Sequence, residues 1–466
     1  MTARNETTVD PAEAIAAWVA GLEPSDIPAE VLEKAQLHVL DAIGVALAAA
    51  DTDFARQTIA GIRAISTLGA VPIIGHDFGL PPRDAALVNG VLVHGLDFDD
   101  THSESVTHTS ASALPLALSA APPSCDGRRF LAGFVVASEI AARVGAAARG
   151  RFHDRGFHPT GTAGVFGAVA GAGFLADQSA EQLRDAQGIA LSMAGGSFEF
   201  LSSGAWTKRL HPGWAAVSGL TASALAAVGF VGPKKPYSGR FGLYNLYTSA
   251  GDEARIDRVA SELGNRWEVL NVAFKPYPAC HLTHAFVDAA MSLKDQQPLA
   301  VEDIAAITAM IAKPEMPIVC EPVEDKMRPR NAYEAQFSLQ YIIAASLYRN
   351  GFTLKELRAE SFEDPEILAL CRKVRCIDDP HSAYPDHYSG AISLTLTDGT
   401  VLEHREQINR GSADKPLSAS DVERKFLDNA RHRLSRSEAE RLLDEVMALR
   451  QRHDIGALLR AMTSSA

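Results

Sequence analysis

A chain of 466 residues, 47% hydrophobic and 22% charged, is too long for one ordinary core and too apolar for a disordered protein, so two domains, or three, are expected. The net charge of -13 argues against a nucleic-acid partner, which calls for a basic face, yet leaves room for an anionic substrate at a local cluster of Lys, Arg and His. Cys125, Cys280, Cys320, Cys371 and Cys376 form no CxxC pair and give no support for an iron–sulfur cluster. With residues 1–8 lacking the apolar core of a signal peptide, they point to a reducing, cytoplasmic setting.

In chain order, the first half reads as helix after helix. Asp10-Pro11-Ala12-Glu13 is a start signal, with a capping Asp, Pro at the first helical position and Glu three residues after the cap. A second start near Asp26-Ile27-Pro28 leads into the stripe Val31, Leu32, Ala35, Val39, Leu40, Ile43. Residues 130–148 and 215–228 are rich in Ala and Gly, which predicts closely packed helices. The longest uncharged run, residues 212–233, holds Ala, Ser, Gly and Thr more than Leu and Ile and reads as a buried helix of a bundle, not a membrane span. After about Asn265 the pattern changes. Residues 304–311 and 374–377 read as strands, and 392–397 alternates, turns at Asp398-Gly399 and resumes at Val401 as a hairpin. Residues 335–347 between them read as helix. From Ser418 the chain is helical and charged again, with a capping box at Ser435-Arg-Ser-Glu438.

The densest chemistry lies in His94-Gly-Leu-Asp97-Phe-Asp99-Asp100-Thr101-His102 and in Thr107-His108-Thr109-Ser110. Three carboxylates and several imidazoles between apolar segments destabilise a fold unless each is paired, so such density marks a site more often than a core. If the first stretch is helical, His94, Asp97, Asp100 and Thr101 share a face. Gly156-Phe-His158-Pro-Thr-Gly161 holds a positioned histidine. Trp206-Thr-Lys208-Arg209-Leu-His211-Pro-Gly213 sets two cations and an imidazole before the uncharged run; it is either a polar capping loop or a carboxylate clamp aided by a helix N-terminus. Phe274-Lys275-Pro-Tyr277-Pro-Ala-Cys280-His281-Leu-Thr-His284 presents Lys275 on a stiff loop before a helix begins near His281. His281 and His284 lack a third zinc ligand at matching spacing, Cys280-His281 is no nucleophilic dyad by adjacency, and no GxSxG elbow is present. The glycines of 161–173 lack the Lys-Ser/Thr ending of a P-loop and are read as helix packing, so no nucleotide is expected.

Taken in order, these segments, with Ala335-Gln-Phe-Ser-Leu-Gln-Tyr341 and Asp414-Lys-Pro-Leu-Ser418, resemble the MmgE/PrpD family over nearly the whole chain. The resemblance implies a mainly α fold: a large all-helical domain built from both chain ends (1–265 and 411–466) and a smaller inserted α+β lid domain (266–410), as a homodimer. It implies chemistry on a small anionic polycarboxylate with no metal and no organic cofactor, and no nucleic-acid or membrane partner. In the decarboxylase branch of the family the motif Asp, Thr and His match Asp97, Thr101 and His108, and the later His, Lys and His match His158, Lys208 and His281. The chain has one extra residue between Thr101 and His108, and Thr109 where a Pro commonly follows the His. The Thr-Lys-Arg-Leu-His-Pro-Gly and Cys-His segments look closer to the decarboxylase and epimerase branches than to the 2-methylcitrate dehydratases proper.

The step shared by this group makes or breaks a bond at a carbon next to a carboxylate, and charge then spreads onto the carboxylate oxygens. Lys208, with Arg209 and Lys275, is expected to stabilise that charge, and His158 and His108 to act as acid and base in either order. Asp97 orients an imidazole or moves a proton itself, Thr101 contacts substrate, and His281 closes the set from the lid. The expected activity is a cofactor-independent lyase, foremost a 2-methylcitrate dehydratase-like hydro-lyase, with a cis-aconitate decarboxylase-like lyase or an iminodisuccinate epimerase-like isomerase as alternatives. A binding protein on a degenerate scaffold is the non-enzymatic reading.

Overall fold

The structure, a computed structural model, describes residues 9–248 and 254–463; residues 1–8, read above for a leader sequence, lie outside them. It divides into two compact units. One comprises residues 1–95, 99–272 and 418–466, the other 96–98 and 273–417.

The first unit is helical. Asp10 caps Pro11–Gly21 by accepting from the Ala12 amide at 3.0 Å. Pro28 precedes Ala29–Ala49, whose apolar stripe is buried as the spacing predicts. At its centre Gly127–Ala147 packs against Gly164–Leu175. The glycines of the second helix explain the contact: a Cβ on Gly167 would lie 2.3 Å from the Ala137 carbonyl oxygen, so only hydrogen fits. Gly127–Ala147 is long and apolar enough to cross a membrane by length and composition, and its apolar window is wholly buried in the unit. The run from Pro212 belongs to a helix, Thr207–Ala227, but the expectation of a buried helix over residues 212–233 is corrected, since the helix ends at Ala227 and Val228, Phe230 and Val231 are exposed. One side packs while Trp206, Leu210 and Trp214, at a spacing of four, face outward. The C-terminal helices Ala419–Ala430 and Arg436–Met447 start with Ser418 and Ser435 in capping boxes.

The second unit is α+β. Its four-stranded sheet runs in the order 374–378, 304–311, 390–396, 401–406; the first pair is parallel and the others antiparallel. The hairpin turns at Gly399, whose φ of 89° suits glycine. His284–Gln296 packs on the last two strands and on Leu339–Arg349. The helix predicted at 335–347 is two helices, Ala332–Gln336 and Leu339–Arg349, because the Ser338 hydroxyl accepts from the Tyr341 amide at 3.0 Å and starts a new one.

Glu315 is buried in this unit, and burial pushes its carboxyl up to about 8, offset in part by the Ala312 amide. A carboxyl with a folded value raised this far binds a proton that the unfolded chain has released by about pH 4.3. Stability from this group therefore falls as pH rises from about 4.3 to 8, by up to about 1.4 kcal/mol per unit, and levels off above. Glu315→Gln is expected to raise Tm by a margin that widens from pH 5 to pH 8. A constant margin in thermal melts at those two values would contradict it.

Candidate active site

In the first unit, chain ends deliver imidazoles to one place. Pro82–His94 ends on His94. Its Gly90 lies so close to the helix Thr207–Ala227 that a Cβ there would stand 2.3 Å from Gly213 Cα. Backbones in contact carry the end of one helix beside the start of the other, and Arg209 Nε ties them by donating to the Gly95 carbonyl at 2.8 Å.

His108 immediately precedes the helix Thr109–Ala120 and donates its own amide to Thr160 Oγ1 at 3.0 Å. Its Nδ1 is 2.7 Å from the Asp100 carbonyl oxygen and 3.3 Å from Thr101 Oγ1. A carbonyl only accepts, so Nδ1 carries the proton and Nε2 keeps the lone pair of a base. His94 Nδ1 faces Asp99 Oδ2 at 2.8 Å, which likewise leaves its proton on Nδ1. Asp100 anchors this arrangement from behind: its carboxylate takes the Ser110 amide at 3.2 Å and the Ser110 hydroxyl, and pairs with His38 at 3.0 Å. Burial alone would raise its pKa, but the His38 and Ser110 bonds outweigh that and hold the carboxyl below its usual range.

His158, 3% exposed, precedes the single turn Pro159–Thr162. Its amide donates to the Gly196 carbonyl at 2.9 Å and its Nδ1 meets His211 Nδ1 at 3.1 Å. The ring stacks on His94, with centroids 5.5 Å apart, and lies 5.8 Å from that of His108. Burial, then the neighbouring His94, Lys208, His211 and His108, pushes the His158 pKa well below the ordinary imidazole value. His211 is lowered to about 4 by burial and by Lys208. Both are neutral near pH 7. Lys208 is buried in the first turn of its helix, where the helix N-terminus adds partial positive charge. The result is a set of neutral bases around one cation, suited to moving protons on an anion.

In the second unit, Asp97 and Lys275 form a buried pair: Lys275 Nζ is 3.2 Å from Asp97 Oδ1 and donates to the Asp97 carbonyl at 3.0 Å. Asp97 adopts φ 50°, a left-handed conformation that Asp tolerates better than most residues. His281 Nε2 accepts from Asn409 Nδ2 at 3.0 Å. The Asn409 amide is oriented by its Oδ1, which takes the Tyr388 amide at 3.2 Å. His281 therefore holds its proton on Nδ1.

Several expectations change. Residues 94–102 are not one helix: the helix stops at His94, and the chain passes into the second unit for residues 96–98. His94, Asp97, Asp100 and Thr101 thus share no helical face, and Asp100 is a structural anchor for His108. Lys208, Arg209 and His211 lie inside the helix, not in a capping loop. Arg209 has its guanidinium 4.5 Å over the Phe54 ring besides its bond to Gly95. The expected His108, His158, Lys208 and Thr101 fall in the first unit, and Asp97, Lys275 and His281 in the second. Asp99 carries no role in the sequence reading, where His94 stands only on the supposed helical face and His211 only in the segment weighed as a carboxylate clamp. The signal for His211 was its spacing of three from Lys208, one helical face.

One nitrogen from each of His94, His108 and His158 lies within 4.8 Å of the others, and these are the residues of this unit best placed to hold a metal. A zinc ion would need those nitrogens drawn in to about 2.0–2.1 Å from it. His158 is turned toward His211, another imidazole, where second-shell partners of metal-bound histidines are mostly carboxylates, carbonyls or water.

The MmgE/PrpD N-terminal domain signature matches residues 13–255 and the MmgE/PrpD C-terminal domain signature residues 277–451. The chain belongs to the MmgE/PrpD family. It is 30% identical to cis-aconitate decarboxylase of Mus musculus over 97% of this chain and 93% of that protein. It is 29% identical to the Homo sapiens cis-aconitate decarboxylase over 96% and 93%. Its likeness to 2-methylcitrate dehydratase of Escherichia coli, 30% identical, covers 28% of this chain and 29% of that protein. Full-length similarity thus favours the decarboxylase alternative over the dehydratase placed foremost above.

Proposed function

We propose that this protein is a lyase that decarboxylates a small unsaturated polycarboxylate, in the manner of cis-aconitate decarboxylase. The observation that carries the chemistry is the group His94, His108 and His158, with the His108 tautomer fixed by the Asp100 carbonyl, beside Lys208. The choice of decarboxylation over dehydration rests on full-length similarity to the decarboxylases, against about a quarter of the chain for the dehydratases.

In this reading a carboxylate of the substrate lies against Lys208. The bond from carbon to that or a neighbouring carboxylate breaks, carbon dioxide leaves, and the carbon receives a proton. Charge passing through the remaining carboxylate is stabilised by Lys208 and the start of its helix, more strongly in a buried site than in water. His108 Nε2 and His158 supply the base and the acid. Thr101, hydrogen-bonded to His108, and Arg209, which fixes the helix start, support them. Asp97, Lys275 and His281 are proposed as functional groups of the second unit on its own geometry, a buried ion pair and a neutral imidazole of set tautomer. The same proposal takes that unit as the family lid, and the protein as cytoplasmic and independent of metal. It also takes the protein as a homodimer, for which the outward apolar stripe Trp206, Leu210, Trp214 is a suitable surface. Light scattering of Trp214→Asp should then show a monomer.

Proton NMR in heavy water, with citrates, aconitates and amino-substituted succinates as the panel, tests the activity. New vinyl signals with released carbon dioxide establish a decarboxylase. Vinyl signals from a hydroxy acid without carbon dioxide would restore the dehydratase, and deuterium entering an unchanged skeleton would make the protein an epimerase. Dialysis against EDTA is expected to leave turnover within twofold. Activity that vanished on dialysis and returned with zinc would recast the three histidines as ligands.

A further inference from the structure

Decarboxylation consumes a proton: the substrate carboxylate leaves as carbon dioxide and a proton from solvent takes its place on carbon. His158, the group proposed to handle that proton, is 3% exposed. It is walled by Phe198 and Phe200, with ring centroids 5.8 and 6.5 Å away. A neutral imidazole that gives up its outer proton is left as an imidazolate unless its other nitrogen is protonated in the same step, and an aromatic wall supplies no proton.

His211 bridges this gap. Its Nδ1 lies 3.1 Å from His158 Nδ1, and His211 as a residue is half-buried where His158 is buried. The slot that holds it is made by two glycines. A Cβ on Gly196, at φ 120°, would come 3.2 Å from His211 Nδ1, and one on Gly161 would meet His211 Cβ at 3.2 Å and the Gly195 carbonyl oxygen at 2.4 Å. Gly196 also accepts the His158 amide, so one short segment sets both rings. Two neutral imidazoles meeting through Nδ1 share one proton between them. With it on His158, the far nitrogen of His158 is a base; with it on His211, that far nitrogen carries a proton and is an acid. His108 has no such freedom, because its Nδ1 faces a carbonyl.

The geometry points to His211 as a positioning residue that relays protons between solvent and His158, and so sets whether His158 stands as acid or base. In one passage a proton enters His211 from water at the outer nitrogen, the Nδ1 proton of His211 moves to His158 Nδ1, and the outer His158 proton is given to the substrate carbon. Each ring ends neutral with its proton on the opposite nitrogen. Once product has left, water in the emptied site protonates the outer His158 nitrogen, the shared proton returns to His211 Nδ1 and His211 sheds its outer proton to solvent, so the one proton consumed comes from water. Lys208, whose charge acts on both rings, disfavours a charged imidazolium and so favours this paired transfer. The inference rests on the reading of His158 as a proton carrier.

The experiment compares His211→Ala, His211→Phe and His158→Ala in steady-state turnover of cis-aconitate, with and without added imidazole. If His211 is the relay, kcat falls at least tenfold in both His211 variants while KM stays within about threefold. The His211→Ala rate then rises with imidazole concentration, whereas the His211→Phe rate, with the slot filled, does not. Wild-type kcat in the His211 variants with an inactive His158→Ala overturns the relay and leaves the proposed function standing. Loss that imidazole does not restore in His211→Ala also overturns the relay, since packing alone would explain it. Full activity in His158→Ala overturns the proposed role of His158 itself.

Discussion

Replacing either His158 or Lys208 with Ala is expected to lower kcat/KM for cis-aconitate by roughly 10²–10⁴-fold with little change in Tm. The two losses differ in origin. His158 is neutral near pH 7 because burial, then the neighbouring His94, Lys208, His211 and His108, hold its pKa well below the ordinary value. Its lone pair is present throughout the neutral range, and activity should fall only as pH drops below 6.5 toward that depressed value. A wild-type acid limb centred at or above 6.5 in a kcat/KM profile would contradict the assignment. Lys208 acts on charge. Without it, the carboxylate oxygens lose their cation where water cannot replace it, and His158 and His211 lose a neighbour that lowers their pKa. Lys208→Ala should therefore shift the remaining acid limb upward, which an effect on substrate binding alone would not do. Circular dichroism and melting curves matching wild type would separate both results from misfolding.

Much of the fold was legible because its determinants are local. Asp10, Ser418 and Ser435 announce helix starts through side chains that bond to amides two or three residues on. The hairpin around Asp398-Gly399 follows from strict alternation and one glycine turn. The site was legible as a set of segments but not as an arrangement. Read locally, residues 94–102 favour a helix; in the fold, Asp97 takes a left-handed conformation and pairs with Lys275, 178 residues away. No periodicity carries such a partner. By sequence Asp100 groups with His94, Asp97 and Thr101 on an expected helical face, yet its partners are His38 and Ser110. Pro212 misled in another way. The sequence reading sets Lys208 and His211 ahead of the uncharged run that opens at Pro212, but Pro212 is the sixth residue of the helix and only withholds a bond from the Lys208 carbonyl. Placing the start at Thr207 would have put both on one face.

The contact that aligns the site should be as sensitive to a methyl group as the chemistry is to a missing imidazole. Gly90→Ala would place a Cβ 2.3 Å from Gly213 Cα and 2.5 Å from Gly213 N. These are backbone atoms, so no rotamer change relieves the overlap and the helices must part. Overpacking of this kind costs about 1–3 kcal/mol, and Tm should fall by several degrees. The larger consequence is geometric. His94 follows Gly90 by one turn on the same face, and His211 precedes Gly213 by two residues. Separating the helices therefore draws His94 away from His158, and misplacement of about 1 Å can reduce rate by roughly 100-fold. Gly90→Ala is thus expected to lose kcat even well below its own Tm. Gly61, in the exposed part of Asp53–Arg63 with nothing within 4 Å of its added Cβ, supplies the contrast. Gly61→Ala should stabilise by about 0.5–1 kcal/mol and leave kcat unchanged. If Gly90→Ala behaved like Gly61→Ala in both melting and turnover, the close approach of these two helices would not be what holds His94 in the site.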